Sequence, residues 1–323
     1  MTIRALALLS GGLDSALAAR MVLDQGVEVV GLHLESPTAC RSDVHEVARE
    51  LGVSLEVREK GQAYLELLRH PRFGYGKNMN PCVDCRIFMF HIGREVMEQV
   101  DAQFLVTGEV AGQRPMSQGK NTLSLIDREA DLEGWVLRPL SALLLPETEP
   151  ERRGWVSRSG LLGISGRGRL EQLALADRYG LTHHQSPGGG CLLTDPTFSV
   201  KLEDLFAHSD ERHTGMDDVA LLRVGRHFRV RDDLKVVLGR NQLENGRLAG
   251  FENAARWLVV PNGFNGPTAL VCGPRGEAEL EIALRLIADY TREPKPEYEV
   301  RWKGEDGPRV RSLGAVITQG PSA

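Results

Sequence analysis

Two groups of residues in this chain have the types and spacing that chemistry needs. Ser10-Gly11-Gly12-Leu13-Asp14-Ser15 gathers two glycines, two hydroxyls and a carboxylate into one short stretch. Between a strand and a helix, such a stretch offers free backbone N–H groups at a helix N-terminus, a nest for anions. The glycines allow close approach, the serines add donors, and Asp14 can hold magnesium beside phosphates. The Gly-Lys-Ser/Thr ending that grips β and γ phosphates is missing, so cleavage between those two is not indicated. The second group is sulfur. Cys82 and Cys85 form a Cys-x-x-Cys just ahead of an expected helix, where thiolate is favoured. Cys191 follows the Gly-rich run Ser186-Pro187-Gly188-Gly189-Gly190, a loop suited to close approach. A Cys-x-x-Cys alone is equally a zinc half-site, a redox pair or two buried residues. Cys40 and Cys272 have no neighbouring thiol and read as small buried hydrophobes.

The elements that must position these groups follow from periodicity and glycine punctuation. Ile3 to Leu9 is a strand, the apolar spacing from Ala16 to Leu23 a helix closed by Gly26, and Val27 to Leu34 a second strand. Val44 to Leu51 is a helix ending at Gly52, Val53 to Val57 a third strand, Ile87 to Val100 a helix and Phe104 to Thr107 a strand. Leu170 to Tyr179 is a helix ended by Gly180. This alternation predicts an α/β domain with a doubly wound parallel sheet over residues 1–195. Beyond it Leu221 to Val224, Arg229-Val230, Val236 to Leu238 and Leu258 to Val260 look like strands, and Glu277 to Tyr290 like a helix. Residues 196–323 are therefore expected to form a second, smaller α+β domain, with Gln319 to Ala323 frayed.

The composition agrees with two globular domains. The chain has 323 residues, 39 Lys and Arg against 44 Asp and Glu, a formal charge of -5 and 41% hydrophobic residues. Five cysteines are too few and too scattered for a disulfide framework. No apolar run is long enough to cross a bilayer, and the N-terminus runs straight into a strand pattern instead of a signal peptide, so a cytoplasmic protein without a membrane partner is expected. The acidic total leaves room for a local basic face. Arg152, Arg153, Arg158, Arg167, Arg169 and Arg178 lead toward the Cys191 loop, and phosphate contact and a solvated face are evenly matched there. Arg223, Arg226, His227, Arg229, Arg231, Lys235 and Arg240 alternate with apolar residues and are the stronger candidate surface for RNA.

The stretch Ser10 to Ser15 matches in full the Ser-Gly-Gly-Xaa-Asp-Ser signature of the PP-loop ATP pyrophosphatases, which the chain resembles. The resemblance implies an adenine nucleotide alpha hydrolase-like fold and a loop that holds the pyrophosphate part of ATP while a substrate attacks the α-phosphate. It also implies an adenine site at the end of the second strand, here Leu32 and His33 within Leu32-His33-Leu34-Glu35. Thr107-Gly108-Glu109-Val110-Ala111-Gly112-Gln113 with Ser117-Gln118, Leu137-Arg138-Pro139-Leu140, and Gly190-Cys191-Leu192-Leu193-Thr194-Asp195 narrow the likeness to tRNA thiolation enzymes, in particular the catalytic half of 4-thiouridine synthetase. Gly108 and Gln113 are expected at the nucleotide on that ground. The resemblance covers roughly Ile3 to Asp195.

Some 2-thiouridine enzymes hold a [4Fe-4S] cluster on a Cys-x-x-Cys and a distant cysteine, and carried over the ligands are Cys82, Cys85 and Cys191. Three thiolates on a cubane leave one iron open for sulfide. A persulfide route would use Cys85 and Cys191 alone and leave Cys82 without a task, which favours the cluster. A zinc site would need a fourth ligand from His183 or His184. Gly225-Arg226-His227-Phe228-Arg229, Val237-Leu238-Gly239-Arg240-Asn241 and Glu244-Asn245 resemble the RNA-binding domain of the NFACT family. From the alternating cations and the arginine strip, RNA contacts are expected from Arg226, Arg229, Arg231 and Arg240, beside Arg167 and Arg169 in the first domain. Against 4-thiouridine synthetases neither an N-terminal RNA-binding extension nor a rhodanese-like segment is expected, and the sequence reads Leu144-Leu145-Pro146-Glu147-Thr148-Glu149 where relatives place an acidic-Lys-Glu helix start. The expectation is an ATP- and magnesium-dependent tRNA sulfurtransferase, supplied by a sulfur donor protein or free sulfide, with Asp14, Cys85 and Cys191 at the chemistry. Adenylation of a small molecule or sulfur carrier, and RNA binding with a regulatory nucleotide or cluster site, are the alternatives.

Overall fold

The computed structural model describes residues 2–39, 43–183, 191–210, 213–292, 297–304 and 307–314. Cys40, His184 and the glycines before Cys191 lie outside them, as do Gln319 to Ala323. The chain divides into Met1–Ser199 and Val200–Ala323, a few residues past the edge expected from the change in alternation. The break falls inside a helix, Pro196–Ala207, whose first turn Asp195 caps through Phe198 N at 2.8 Å.

The first unit runs β1 (Arg4–Leu8), α1 (Leu13–Leu23), β2 (Glu28–Glu35), α2 (Val44–Leu51), β3 (Ser54–Glu59), α3 (Gly61–Arg69), α4 (Cys82–Gln99), β4 (Phe104–Val106), α5 (Lys120–Glu129), β5 (Val136–Leu137), α6 (Glu149–Arg152) and α7 (Leu170–Tyr179). The five strands form one parallel sheet in the order β3-β2-β1-β4-β5. Alternate residues of β1 serve opposite faces. Ala5 and Ala7 pack with α1, α2 and α7, while Leu6 and Leu8 pack with Phe90, Val96 and Met97 of α4 and Ile126 of α5. Burial on both faces is why these strands read as unbroken apolar runs. Strand order reverses beside β1, so the crevice at the carboxyl ends of β1 and β4 is the switch point where doubly wound sheets bind ligands.

Helices α2 and α7 keep their expected bounds because each closes on a left-handed glycine, Gly52 at φ 70° and Gly180 at φ 67°. Helix α4 starts five residues before the expected Ile87, so Cys82 and Cys85 lie inside its first turns and not ahead of it. Apolar spacing begins only at Ile87, but Pro81 caps the polar first turn and accepts from Cys85 N at 2.9 Å.

After α8 (Pro196–Ala207), the second unit has α9 (Met216–Leu221), β6 (Arg226–Arg231), β7 (Leu234–Leu238), α10 (Gln242–Ala249), β8 (Arg256–Asn262), β9 (Ala269–Cys272), α11 (Glu277–Asp289), β10 (Glu297–Gly304) and β11 (Gly307–Gly314). Its strands make an antiparallel sheet in the order β11-β10-β8-β9-β7-β6, with α11 packed on Val236, Trp257, Val259 and Val271. The expected strand Leu221 to Val224 is instead the end of α9 and a turn, Val224 N donating to Leu221 O at 2.9 Å. A four-residue stretch carries no period long enough to separate the two.

Candidate active site

The turn from β1 into α1 is the predicted phosphate loop. Gly11 takes φ 74°, and the two serines organise the turn from within. Ser15 Oγ accepts from Ser10 N at 3.2 Å and donates to Gly12 O at 2.8 Å. Leu13 contributes backbone alone, since its side chain is buried in the core under α1. Asp14 sits in the first turn of α1. Its Oδ2 accepts from Gln113 Nε2 at 3.0 Å and lies 3.5 Å from an Arg169 nitrogen, while its Oδ1 is buried without a hydrogen-bond partner. A buried, unpartnered carboxylate oxygen fits a cation, which is the chemistry magnesium requires.

Gly108 follows β4 and presses on this loop. A Cβ there would fall about 2.5 Å from Asp14 O and closer still to Ser15 N, both backbone atoms. At the end of β2, His33 Nδ1 pairs with Leu9 O at 2.8 Å, which ties the proposed adenine segment to the end of β1. Leu32 has 1% of its surface exposed and belongs to the core, so its side chain is not offered to a nucleotide.

The three thiols come to one place. Cys82, Cys85 and Cys191 are half-buried and reduced, and their charges act on one another. Burial would raise Cys85, but Lys60 Nζ at 3.3 Å and the Tyr64 hydroxyl at 3.7 Å outweigh it and hold the thiol below its ordinary value. Burial pushes Cys191 up to about 11, opposed by the Leu193 N–H, and raises Cys82 against the pull of Arg114 and Arg86. Cys191 is tied to the turn that follows β2, with Sγ 3.7 Å from Thr38 O and Leu192 N donating to the same oxygen at 3.1 Å. Among the described residues no three His, Cys, Asp or Glu stand close enough for a single metal ion. His183 pairs with Glu50 and not with these thiols. Three thiols faced by Lys60, Arg86 and Arg114 suit a polynuclear centre, which spreads its ligands wider and carries net negative charge.

One segment joins the two halves. After β4, Gly108 and Gln113 touch the phosphate loop, Glu109 pairs with Arg86 of α4 at 3.3 Å, and Arg114 faces Cys82. Glu109 in turn holds Arg138 at 3.0 Å, which is buried and bound by Asp127 through both terminal nitrogens at 2.8 and 2.6 Å. Sequence reasoning missed Lys60, Tyr64 and Arg114. Lys60 directly follows β3, so the rule that ligands gather at the carboxyl ends of parallel strands would have found it.

The proposed RNA residues are distributed differently. Arg167 and Arg226 are exposed, Arg226 lying over the Tyr290 ring at 5.1 Å, whereas Arg169, at the start of α7, lies 3.5 Å from Asp14. Arg229 is held by both oxygens of Asp204 at 2.9 and 3.0 Å, Arg231 by Asp233 and Glu279, and Arg240 by Glu244. Arg152 pairs with Glu149, Arg158 with Glu151, and Arg153 lies over Trp135 and Trp155, so that basic strip is largely engaged within the fold. Half-buried Cys272 is pushed up to about 11 by burial. No described helix is long and apolar enough to cross a membrane.

Two family models match separate stretches of the chain. Residues 2–144 match the family model of the thiamine biosynthesis protein (ThiI), and residues 225–316 that of the NFACT protein RNA binding domain. The tRNA-specific 2-thiouridylase MnmA of Amoebophilus asiaticus is 29% identical over 189 residues, 49% of each chain. A probable tRNA sulfurtransferase of Methanothermobacter thermautotrophicus is 28% identical over 117 residues, 34% of this chain and 30% of that one. The chain thus spans about half or less of the length of these curated relatives. A solved 4-thiouridine synthetase–RNA complex with bound ATP aligns over 68% of this chain and 51% of its own, at 21% identity and a TM-score of 0.40. Two stretches of the chain are thus similar to different families, residues 2–144 to ThiI and residues 225–316 to the NFACT RNA binding domain.

Proposed function

We propose that this protein is an ATP-dependent tRNA sulfurtransferase, which adenylates a uridine carbonyl oxygen and replaces it with sulfur. The observation that carries this reading is the segment after β4, whose residues reach both Asp14 and the thiol cluster. A nucleotide site alone would need no thiols, and a redox pair would need no phosphate loop. The curated relatives named above as tRNA thiolation enzymes support the same reading.

In this reading Ser10 to Ser15 hold the phosphates of ATP, with backbone N–H groups at the start of α1 taking up charge as it develops. The uracil carbonyl oxygen bonds to the α-phosphorus, and pyrophosphate leaves with the electrons of the broken P–O bond. Hydrosulfide then attacks the base carbon, and AMP departs with the former carbonyl oxygen. In sum uridine, ATP and hydrosulfide become thiouridine, AMP and pyrophosphate, and no electrons are gained or lost. Asp14 would hold magnesium, which neutralises phosphate charge when bound. Cys82, Cys85 and Cys191 would hold a [4Fe-4S] cluster, which supplies an iron without a protein ligand where sulfide can bind. Lys60, Arg86 and Arg114 balance the thiolate charge there. The persulfide route draws on the asymmetry between Cys85, held low by Lys60, and Cys191, raised by burial. The partners are tRNA and a sulfur donor protein or free sulfide, and the place is the cytoplasm.

Nucleoside mass spectrometry of bulk tRNA from a strain lacking the protein tests this. One thiolated uridine should disappear and return with the wild-type gene but not with Cys191→Ala. An unchanged profile in the deleted strain overturns the proposal.

A further inference from the structure

The phosphate loop Ser10 to Ser15 carries no cation, although a triphosphate brings several negative charges. A guanidinium is nonetheless placed beside it, Arg169 standing 3.5 Å from Asp14 Oδ2. The chain builds that placement through its backbone. Leu162 N donates to Pro139 O at 2.9 Å and Ile164 N to Leu140 O at 2.8 Å, so this segment runs along the residues that follow β5. Buried Ser141 fastens it further, donating to Ile164 O at 2.7 Å and accepting from Ala111 N at 2.9 Å. Gly166 then turns at φ 79° and donates to Ala111 O at 2.8 Å. Ala111 lies two residues before Gln113, which itself donates to Asp14. The Gly166-Arg167-Gly168-Arg169 turn is thus pinned to the segment after β4 that supports Asp14, and α7 begins where the turn ends. In the first turn of α7, Gln172 is 0% exposed and both of its amide atoms lack a partner. Buried amides are rarely left so, and this one stands three residues along the chain from Arg169.

We propose that Gly166 to Arg169 is the second wall of the phosphate site, and that Arg169 binds the β and γ phosphates of ATP and the pyrophosphate they become. This rests on the ATP-dependent reading above and names the residue that handles its leaving group. As the bond between the α-phosphorus and the bridging oxygen breaks, the electron pair stays on pyrophosphate, and the guanidinium neutralises that charge with paired N–H donors. Arg169 belongs on this account to the nucleotide and not to RNA.

Calorimetric titration of the full chain with magnesium pyrophosphate, ATP and AMP, alongside RNA filter binding, tests the assignment. Arg169→Ala should weaken pyrophosphate and ATP by roughly 10- to 100-fold, the value of charged hydrogen bonds, while AMP and RNA affinities stay as in the wild type. Arg169→Lys should recover part of the loss, because it keeps the charge and loses the fork. It carries the test if the alanine variant fails to fold. Unchanged pyrophosphate affinity in a folded Arg169→Ala overturns the proposal, as does loss of RNA binding alone. Wild-type protein that binds neither ATP nor pyrophosphate overturns the parent reading as well, so the two failures are distinguishable.

Discussion

The phosphate loop of the first unit and the Gly239 to Asn245 turn of the second are both short polar motifs that enter a helix through a glycine, and their polar groups end differently. In the second, Asn241 caps α10 by accepting Glu244 N at 3.0 Å, and Glu244 accepts Arg240 N at 2.9 Å and grips the Arg240 guanidinium. Asn245 accepts Thr268 N at 3.1 Å and donates to Gly266 O at 3.3 Å. Gly239 is required because a Cβ would run into Asn245. The motif closes on itself and fastens β7 to α10. In the first, Asp14 keeps a buried oxygen unpaired and a glycine from another strand presses on its backbone. A motif that serves a ligand leaves groups open, while one that serves the fold satisfies its own.

The largest expected effect is at the open carboxylate. Asp14→Ala should lower ATP-dependent pyrophosphate release on the order of 100-fold or more with RNA binding intact, and substantial retained release in a pyrophosphate assay would remove the contrast between the two motifs. Gly108→Ala comes next. Its Cβ meets backbone that cannot rotate away, so the loop must shift, and a displacement of ~1 Å costs up to about 100-fold in turnover. A variant with normal kcat and KM for ATP would show that the loop tolerates the intrusion.

In the closed motif, Glu244→Ala should destabilise the second unit by about 2 kcal/mol, visible as an earlier calorimetric transition, and leave ATP turnover as it was. If Arg240→Ala instead costs RNA affinity while stability holds, the motif is a contact surface after all. The smallest effect is a pH dependence. Burial, then Lys235 and Lys201, push His227 down to about 3 from 6.5, and its Nε2 pairs with Val224 O at 2.9 Å. The unfolded chain then takes a proton below pH 6.5 that the folded one refuses. Stability is whole above pH 6.5 and declines as pH falls toward about 3, by at most ~1.4 kcal/mol per pH unit. His227→Gln should flatten that slope in melts between pH 7 and 5. An unchanged slope would assign it to the carboxylates.

Much of the first unit was legible because its signals are local. Buried parallel strands announce themselves as apolar runs, and Gly52 and Gly180 close α2 and α7 where expected. Helix α3 and the start of α4 were not legible, since their first turns are polar and their burial comes from packing. The cation partners were the harder loss. Nothing near Arg229, Arg231 or Arg240 in the strand pattern says that Asp204, Glu279 or Glu244 will meet them, because ion pairs form across elements or over a helix turn.

By itself the sequence determined the phosphate loop, the α/β alternation and the three cysteines worth watching, because each is written in consecutive residues and short-range sterics. Tertiary structure alone decided that Lys60 and Tyr64 flank Cys85, that Gly108 and Gln113 support Asp14, and that Arg169 stands beside Asp14. Those residues are far apart along the chain, and only the closing of the sheet around its switch point brings their charges within reach of one another.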